Sequence, residues 1–227
     1  MSEYLSDKEQ WDEIRGWIRE YGPSVIAGVA IAAAIGAGWY WWKARLDARG
    51  LRASAIYTQM VDALEHGNRA DAFTHLGELE RSYPGSPYAD QAKLLAARVE
   101  VEANELDKAA QELTHVAQNS KDHGLALVAR ERLARVQIAQ GKPDEALATL
   151  NAVSPGAFAA RYEAVRGDAY YAKGDSAAAL KAYRSAAGAA DPGDSALLNL
   201  KIADLAAAAH PAAATTAATP APASSTK

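Results

Sequence analysis

No cysteine occurs in the 227 residues, so disulfides, thiolate catalysis and cysteine-based zinc sites are excluded. Positive charge is also scarce: 24 lysines and arginines stand against 28 aspartates and glutamates, which argues against a generic nucleic-acid binder. The five histidines form no H-E-x-x-H pair, and the chain has no phosphate loop, no G-x-S-x-G elbow and no dinucleotide fingerprint. We therefore expect no enzyme: no catalytic or metal site, no cofactor, no small-molecule substrate and no nucleic-acid partner. Neighbouring acids such as Glu100 and Glu102 fit solvated helix faces better than a catalytic pair.

All five tryptophans lie in the first 42 residues, around a stretch without charge. Residues 21–42 contain no Asp, Glu, Lys or Arg, and as a helix these 22 residues would span about 33 Å, enough for a hydrocarbon core of about 30 Å. Aromatic residues crowd positions 39–42, as they do where a span meets lipid headgroups. We predict an N-terminal segment over 1–22 and one membrane-spanning helix over 23–43. A buried soluble helix remains the alternative, because the run is rich in Ala and Gly.

The charge count leaves the orientation of such a span open. Three basic residues precede the charge-free run and four follow it closely, a margin too small to decide the topology.

Residues 6–20 carry apolar side chains at helical spacing, which predicts an amphipathic N-terminal helix. Ser6 with Glu9 fits a capping box at its start. Gly22-Pro23 is expected to break the chain between this helix and the span.

Inside the charge-free run, Gly28, Ala32 and Gly36 recur every four residues. Small residues at this spacing let a second helix approach closely, so we predict a transmembrane packing face there. The alternative is that a run so rich in Ala and Gly produces the pattern without any partner.

Beyond the span, a short pattern occurs four times: Gly or Asn, then Ala five residues later, then Leu or Tyr four residues after that. The successive Gly or Asn residues are 37, 37 and 33 positions apart, a period typical of stacked helical hairpins. Gly or Asn suits the left-handed backbone that ends a helix, and Ala suits the point where two helices cross. The four copies are Gly67/Ala72/Leu76, Asn104/Ala109/Leu113, Gly141/Ala146/Leu150 and Gly174/Ala179/Tyr183.

These copies predict an all-α fold. The repeat domain would cover residues 44–209 and consist of a solenoid of about four helix pairs that ends in a capping helix. The Ala/Pro/Thr/Ser segment 210–227 cannot bury enough apolar surface to order itself, so we expect a disordered tail. The predicted helices are 46–66, 69–82, 87–103, 106–119, 123–140, 143–153, 158–173 and 176–189, with the capping helix at 194–209.

The fourth copy resembles the tetratricopeptide repeat. It has Gly167-x2-Tyr170, then Ala179-x3-Tyr183, and a closing Pro192 one residue later than in the repeat. With its short N-terminal helix, one span and no other module, the chain resembles the ancillary SecYEG translocon subunit family over residues 1 to about 209. The stretches that carry this resemblance best are 132–137, 150–151, 166–169, 173–175 and 200–205.

The resemblance implies an inner-membrane protein of a Gram-negative bacterium, with its N-terminus in the cytoplasm and its repeats in the periplasm. The implied partners are the SecYEG translocon and a membrane-anchored periplasmic chaperone of the prolyl-isomerase type. The implied role is a scaffold that links protein export to periplasmic chaperones. A tetratricopeptide scaffold for another cell-envelope assembly, such as outer-membrane biogenesis or division, is the alternative.

In tetratricopeptide stacks the first helix of each pair lines a concave face that binds peptide segments or partner helices. Carrying the repeat register through the four copies predicts a protein-binding groove formed by Tyr57, Arg98, Arg135, Asp168 and Tyr171. Arginine and tyrosine are both enriched at interface hot spots. The alternative is that the two arginines pair with neighbouring glutamates such as Glu102 and Glu131 and bind nothing else.

Overall fold

The structure, a computed structural model, describes residues 7–189 and 192–209, some positions in the first and last helices by their backbone only. Ser6 and the predicted tail 210–227 lie outside these residues. The described part is all-α, as predicted. Its helices are α1 (Asp7–Glu65), α2 (Arg69–Ser82), α3 (Pro87–Glu102), α4 (Leu106–Asn119), α5 (His123–Ala139), α6 (Pro143–Asn151), α7 (Ala159–Ala172), α8 (Ser176–Ala189) and α9 (Pro192–Ala209), with a 3-10 turn at Gly156–Phe158.

Helix α1 is continuous through Gly22-Pro23, so the predicted break there is wrong. A proline removes a single backbone hydrogen bond, and a helix that extends on both sides can absorb that loss. Packing divides the chain into two units, Met1–Ala55 and Ile56–Lys227, and the four repeats belong to the second. Within the residues described, no helix combines the length and the apolar character needed to cross a membrane.

The four predicted turn residues adopt the left-handed backbone, with φ of 73° at Gly67, 58° at Asn104, 75° at Gly141 and 79° at Gly174. Each ends its helix with the same pair of hydrogen bonds. At Gly141, its own N–H donates to the carbonyl of Ile138 at 2.9 Å, and the next N–H, of Lys142, donates to Gln137 at 2.8 Å. This Schellman arrangement satisfies carbonyls at the helix end and reverses the chain into the second helix of each pair.

The crossing alanines Ala72, Ala109, Ala146 and Ala179 are all completely buried, which confirms the repeat register. The large residues four positions later are buried too: Leu76, Leu113, Leu150 and Tyr183 are at most 5% exposed. From α2 to α9, each α-helix packs on the next one in the chain. Helix α5 also contacts α3 and α7, and the 3-10 turn contacts α7. The capping helix is observed as α9, which buries Leu198 and Leu205 in one cluster with α8.

Gly167 is required by the size of Tyr183. A Cβ added to Gly167 would lie 2.4 Å from Cε1 of the Tyr183 ring, closer than real contacts allow. The two preceding repeats place Ala where the fourth has Gly, and there the later residue is the smaller Leu. These buried pairs are Ala97 with Leu113 and Ala134 with Leu150. In the second, third and fourth repeats the small and the large position are therefore sized to each other, whereas the first repeat buries Met60 at the small position with Leu76.

We expect Gly167→Ala to destabilise the repeat domain by about 1–3 kcal/mol, because the methyl group overpacks against the Tyr183 ring. In a Tyr183→Leu background the same change should cost much less, since leucine leaves room for alanine. Denaturant unfolding of the four proteins in this double-mutant cycle measures the coupling.

The control is Gly188→Ala, because a Cβ at this position in α8 meets no atom within 4 Å. It should be neutral or slightly stabilising. Additive effects of Gly167→Ala and Tyr183→Leu would contradict the size-matching explanation.

Candidate protein-binding site

The five predicted groove residues lie on α1, α3, α5 and α7, the first helices of their pairs. Tyr57 packs against Tyr88, with ring centroids 6.1 Å apart. Arg98 lines a cavity of about 450 Å³ whose apolar walls include Val61 and Leu64 of α1. Arg98 Nε donates to Glu102 Oε1 at 2.8 Å, and its side chain is still 69% exposed.

Arg135 belongs to a different environment from Arg98. Its guanidinium lies 2.8 Å from Glu131, whose side chain is only 2% exposed, and Arg161 approaches the other Glu131 oxygen at 3.5 Å. Both arginines therefore have the glutamate partners that the alternative interpretation names. Removing Arg135 would weaken the compensation of a buried charge, whereas removing Arg98 would not, so the two differ in structural importance.

Asp168 and Tyr171 line one cavity of about 380 Å³, together with Ile138 and residues of α9. The Tyr183 hydroxyl donates to Asp168 Oδ1 at 2.7 Å, and Lys201 of α9 donates to the same oxygen. Burial, with the hydrogen bond to Asp168, raises the pKa of the Tyr183 phenol. Asp168 thus helps hold the capping helix, and Tyr171, with most of its surface exposed, is the freer of the two side chains.

Glu100 is not on a solvated face, and the expectation for it is wrong. Only 3% of the residue is exposed, and Oε2 receives no hydrogen bond from any of the described residues. Burial raises the pKa of Glu100, and the nearby carboxylates Glu112 and Glu105 add to the effect. The repeat register contained the signal: four positions before the turn residue, the later copies have Gln137 and Tyr170, an interior position of the repeat.

The predicted packing residues of the N-terminal unit lie on an exposed part of α1. Added Cβ atoms at Gly28 and Gly36 would meet nothing within 4 Å, and Ala32 is exposed. At the end of the charge-free run, the rings of Trp39 and Trp42 pack at a tilted angle with their centroids 5.5 Å apart, and the Arg45 guanidinium lies 5.5 Å from the centroid of the Trp41 ring.

The described residues contain no group of three or more His, Asp or Glu able to hold a metal ion.

Comparison with known families agrees with the repeat geometry. The model of the tetratricopeptide repeat-like domain family matches residues 15–207, so the protein is of the tetratricopeptide class. Ancillary SecYEG translocon subunits align over 82% of this chain: that of Neisseria gonorrhoeae is 30% identical over 90% of its length, and that of Escherichia coli is 29% identical over 89%. The subunit of Haemophilus influenzae is 26% identical over 91% of its length. The chain belongs to the ancillary SecYEG translocon subunit family.

Two solved structures share the fold at lower identity. BtubC from P. vanneervenii has a TM-score of 0.56 and 18% identity, covering 79% of this chain and 87% of its own. MamA from Desulfovibrio magneticus has a TM-score of 0.52 and 20% identity, covering 70% of this chain and 89% of its own. At these identities the likeness concerns the fold alone.

We expect Glu100→Gln to stabilise the protein at pH 8 but not at pH 4. Because its pKa is raised, the folded protein holds a proton on Glu100 at pH values above about 4.3 where the unfolded chain has lost it. The stability of the wild type should therefore fall as the pH rises through this interval, and glutamine removes that loss. Thermal unfolding across pH measures it, with roughly 2–4 °C in Tm for each kcal/mol relieved.

Glu102→Gln is the matched control, because this carboxylate lies on the same helix with its side chain 60% exposed. An equal pH dependence of the Tm in the two variants would contradict the assignment to Glu100.

Proposed function

We propose that the protein is an ancillary subunit of the SecYEG translocon, a membrane-anchored scaffold that links protein export to periplasmic chaperones. The observation that carries the proposal is the match to ancillary SecYEG translocon subunits over nearly their whole length, at up to 30% identity. A tetratricopeptide stack supports a binding role, because stacked helical repeats offer extended concave surfaces for protein segments. The second proposed partner is a membrane-anchored periplasmic chaperone of the prolyl-isomerase type.

The proposed anchor is the part of α1 that contains the charge-free run, with the N-terminus in the cytoplasm and the repeats in the periplasm. Ile26, Val29, Ile31 and Ile35 are 61–70% exposed, and a bilayer is the solvent that would cover them. Positions 22–25 belong to the same run, and their side chains lie outside the described residues. The exposed aromatic residues at 39–42 would mark the interface at the periplasmic end.

Within the repeats, the proposed partner-binding groove includes Arg98 and the cavity it lines, whose walls combine charged and apolar side chains. The Arg98–Glu102 pair is exposed on both sides, and such a pair contributes only about 0–1 kcal/mol to stability. Its guanidinium can therefore exchange Glu102 for a carboxylate of a partner at little cost. Tyr57, Arg135, Asp168 and Tyr171 remain in the proposed groove, although Arg135 and Asp168 already carry structural ion pairs.

Affinity purification of the full chain from detergent-solubilised membranes tests the proposal. The translocon and the chaperone should be recovered, and Arg98→Glu should reduce recovery of the chaperone several-fold by placing an acid beside Glu102. The Tm should change by no more than about 2 °C, because exposed substitutions usually alter stability by less than about 0.5 kcal/mol.

The control is Arg184→Glu, the same charge reversal at an exposed residue of α8, a second helix of its pair. Undiminished chaperone recovery with Arg98→Glu would remove the groove from the proposal and leave the anchor as the contact. Recovery of a different envelope assembly in place of the translocon would support the alternative scaffold.

The proposed topology predicts that a reporter fused after Leu205 is active only if it requires export to the periplasm. The charge-free run is long enough to place the repeats across the membrane from the N-terminus. Activity of a reporter that works only in the cytoplasm would contradict both the location and the role.

A further inference from the structure

A cavity of about 490 Å³ opens beside Glu100, a buried carboxylate whose Oε2 receives no hydrogen bond from the described residues. Its walls come from α2, α3 and the start of α4. The lining residues are Arg69, Ala70, Phe73, Glu100, Glu105 and Lys108. A buried polar atom that makes no hydrogen bond is destabilising, because it has lost its contacts with water and gained none in return, so a donor to Oε2 would be stabilising.

The cations that line the cavity form ion pairs with Glu105 and not with Glu100. Arg69 is bound to Glu105, and Lys108 Nζ donates to that same carboxylate at 3.2 Å. The Arg69 guanidinium also lies over the Phe73 ring, at 5.1 Å, which fixes it on the wall of the cavity.

Lys93, the remaining cation of this region, is occupied as well. It is nearly buried, and it bridges Glu80 of α2 and Glu112 of α4, the latter at 3.1 Å. Four carboxylates thus gather with three cations, and of these four Glu100 is the one that forms no ion pair with a described residue. This unpaired carboxylate lines the cavity.

The chemistry of the missing partner follows from this arrangement. An anion is excluded as the ligand, because the carboxylates of Glu100 and Glu105 in the cavity wall would repel it. A guanidinium fork prefers two parallel acceptors, whereas the observed deficit is one donor at the buried Oε2. A primary ammonium is a compact charge that can donate one charge-assisted bond to Oε2 and balance the surplus.

We propose that this cavity, the Glu100 pocket, binds a primary ammonium group, namely the lysine side chain of a bound protein segment. Arg69 lines both this pocket and the cavity that contains Arg98, so the pocket adjoins the proposed groove. A segment that lies in the groove could therefore insert a lysine at Glu100. The pocket is defined by its own residues, whichever envelope assembly supplies the segment.

Titration of the full-length protein in detergent micelles at pH 8 tests the proposal with two matched probes. N-acetyl-lysine N-methylamide should bind at least tenfold more tightly than the norleucine analogue, which lacks only the amine. Glu100→Gln should weaken the lysine probe at least tenfold, and Glu145→Gln, at an exposed glutamate of α6, should leave its affinity unchanged. A pentapeptide with a central lysine should bind more tightly than n-butylamine.

Equal affinity for the lysine and norleucine probes, or unchanged lysine binding by Glu100→Gln, would overturn the proposal and assign Oε2 to a water or a proton. Equal binding of the pentapeptide and n-butylamine would overturn the protein lysine as the source, in favour of free amines. Translocon recovery is not part of these measurements, so their failure is distinct from failure of the proposed function.

Discussion

Close approach of two helices at a completely buried alanine is the contact on which the repeat domain depends. Ala72, Ala109, Ala146 and Ala179 are all completely buried, and a small side chain there permits the helices of a pair to approach closely. Tyr183 fits only because Gly167 has no side chain, while the smaller leucines of the second and third repeats allow alanine. The left-handed turn residues then determine the direction in which each second helix returns. Spacing and size together convert a degenerate sequence repeat into a regular stack.

Charged side chains are the exception in the interior of the repeat domain, where Asp90, Lys93, Glu100 and Glu131 are buried. Lys93 is compensated by two carboxylates from neighbouring helices, and Glu131 by arginines of α5 and α7. These pairs tie successive repeats together, at the desolvation cost that any buried ion incurs. Glu100 stands apart because it is buried as well, yet its Oε2 receives no hydrogen bond from any described residue. Because a buried carboxylate without a hydrogen-bond donor destabilises the fold, the proposed external ligand explains Glu100 better than a contribution to stability does.

The proposed function requires one unit of the chain to lie in a lipid bilayer and the other in water. The first offers exposed aliphatic and aromatic side chains, suited to a bilayer and its interface. The second offers cavities lined by paired charges and apolar side chains, suited to protein segments. Because an exposed ion pair such as Arg98–Glu102 costs little to exchange, binding there can be reversible, as the transfer of newly exported chains would require.

The sequence by itself determined the helical class, the repeat register and the turn geometry. These rest on local rules: a left-handed turn demands Gly or Asn, and a helix crossing demands Ala, wherever they occur. Continuity of α1 through Gly22-Pro23 and the partners of each charged residue were decided only by the tertiary structure. Glu100 and Glu102 are two positions apart and chemically alike, yet the first is buried beneath α2 and α4 while the second meets solvent. The repeat register marks the interior position of Glu100, but the pairing of a charge depends on what neighbouring repeats place opposite it, and no local pattern contains that information.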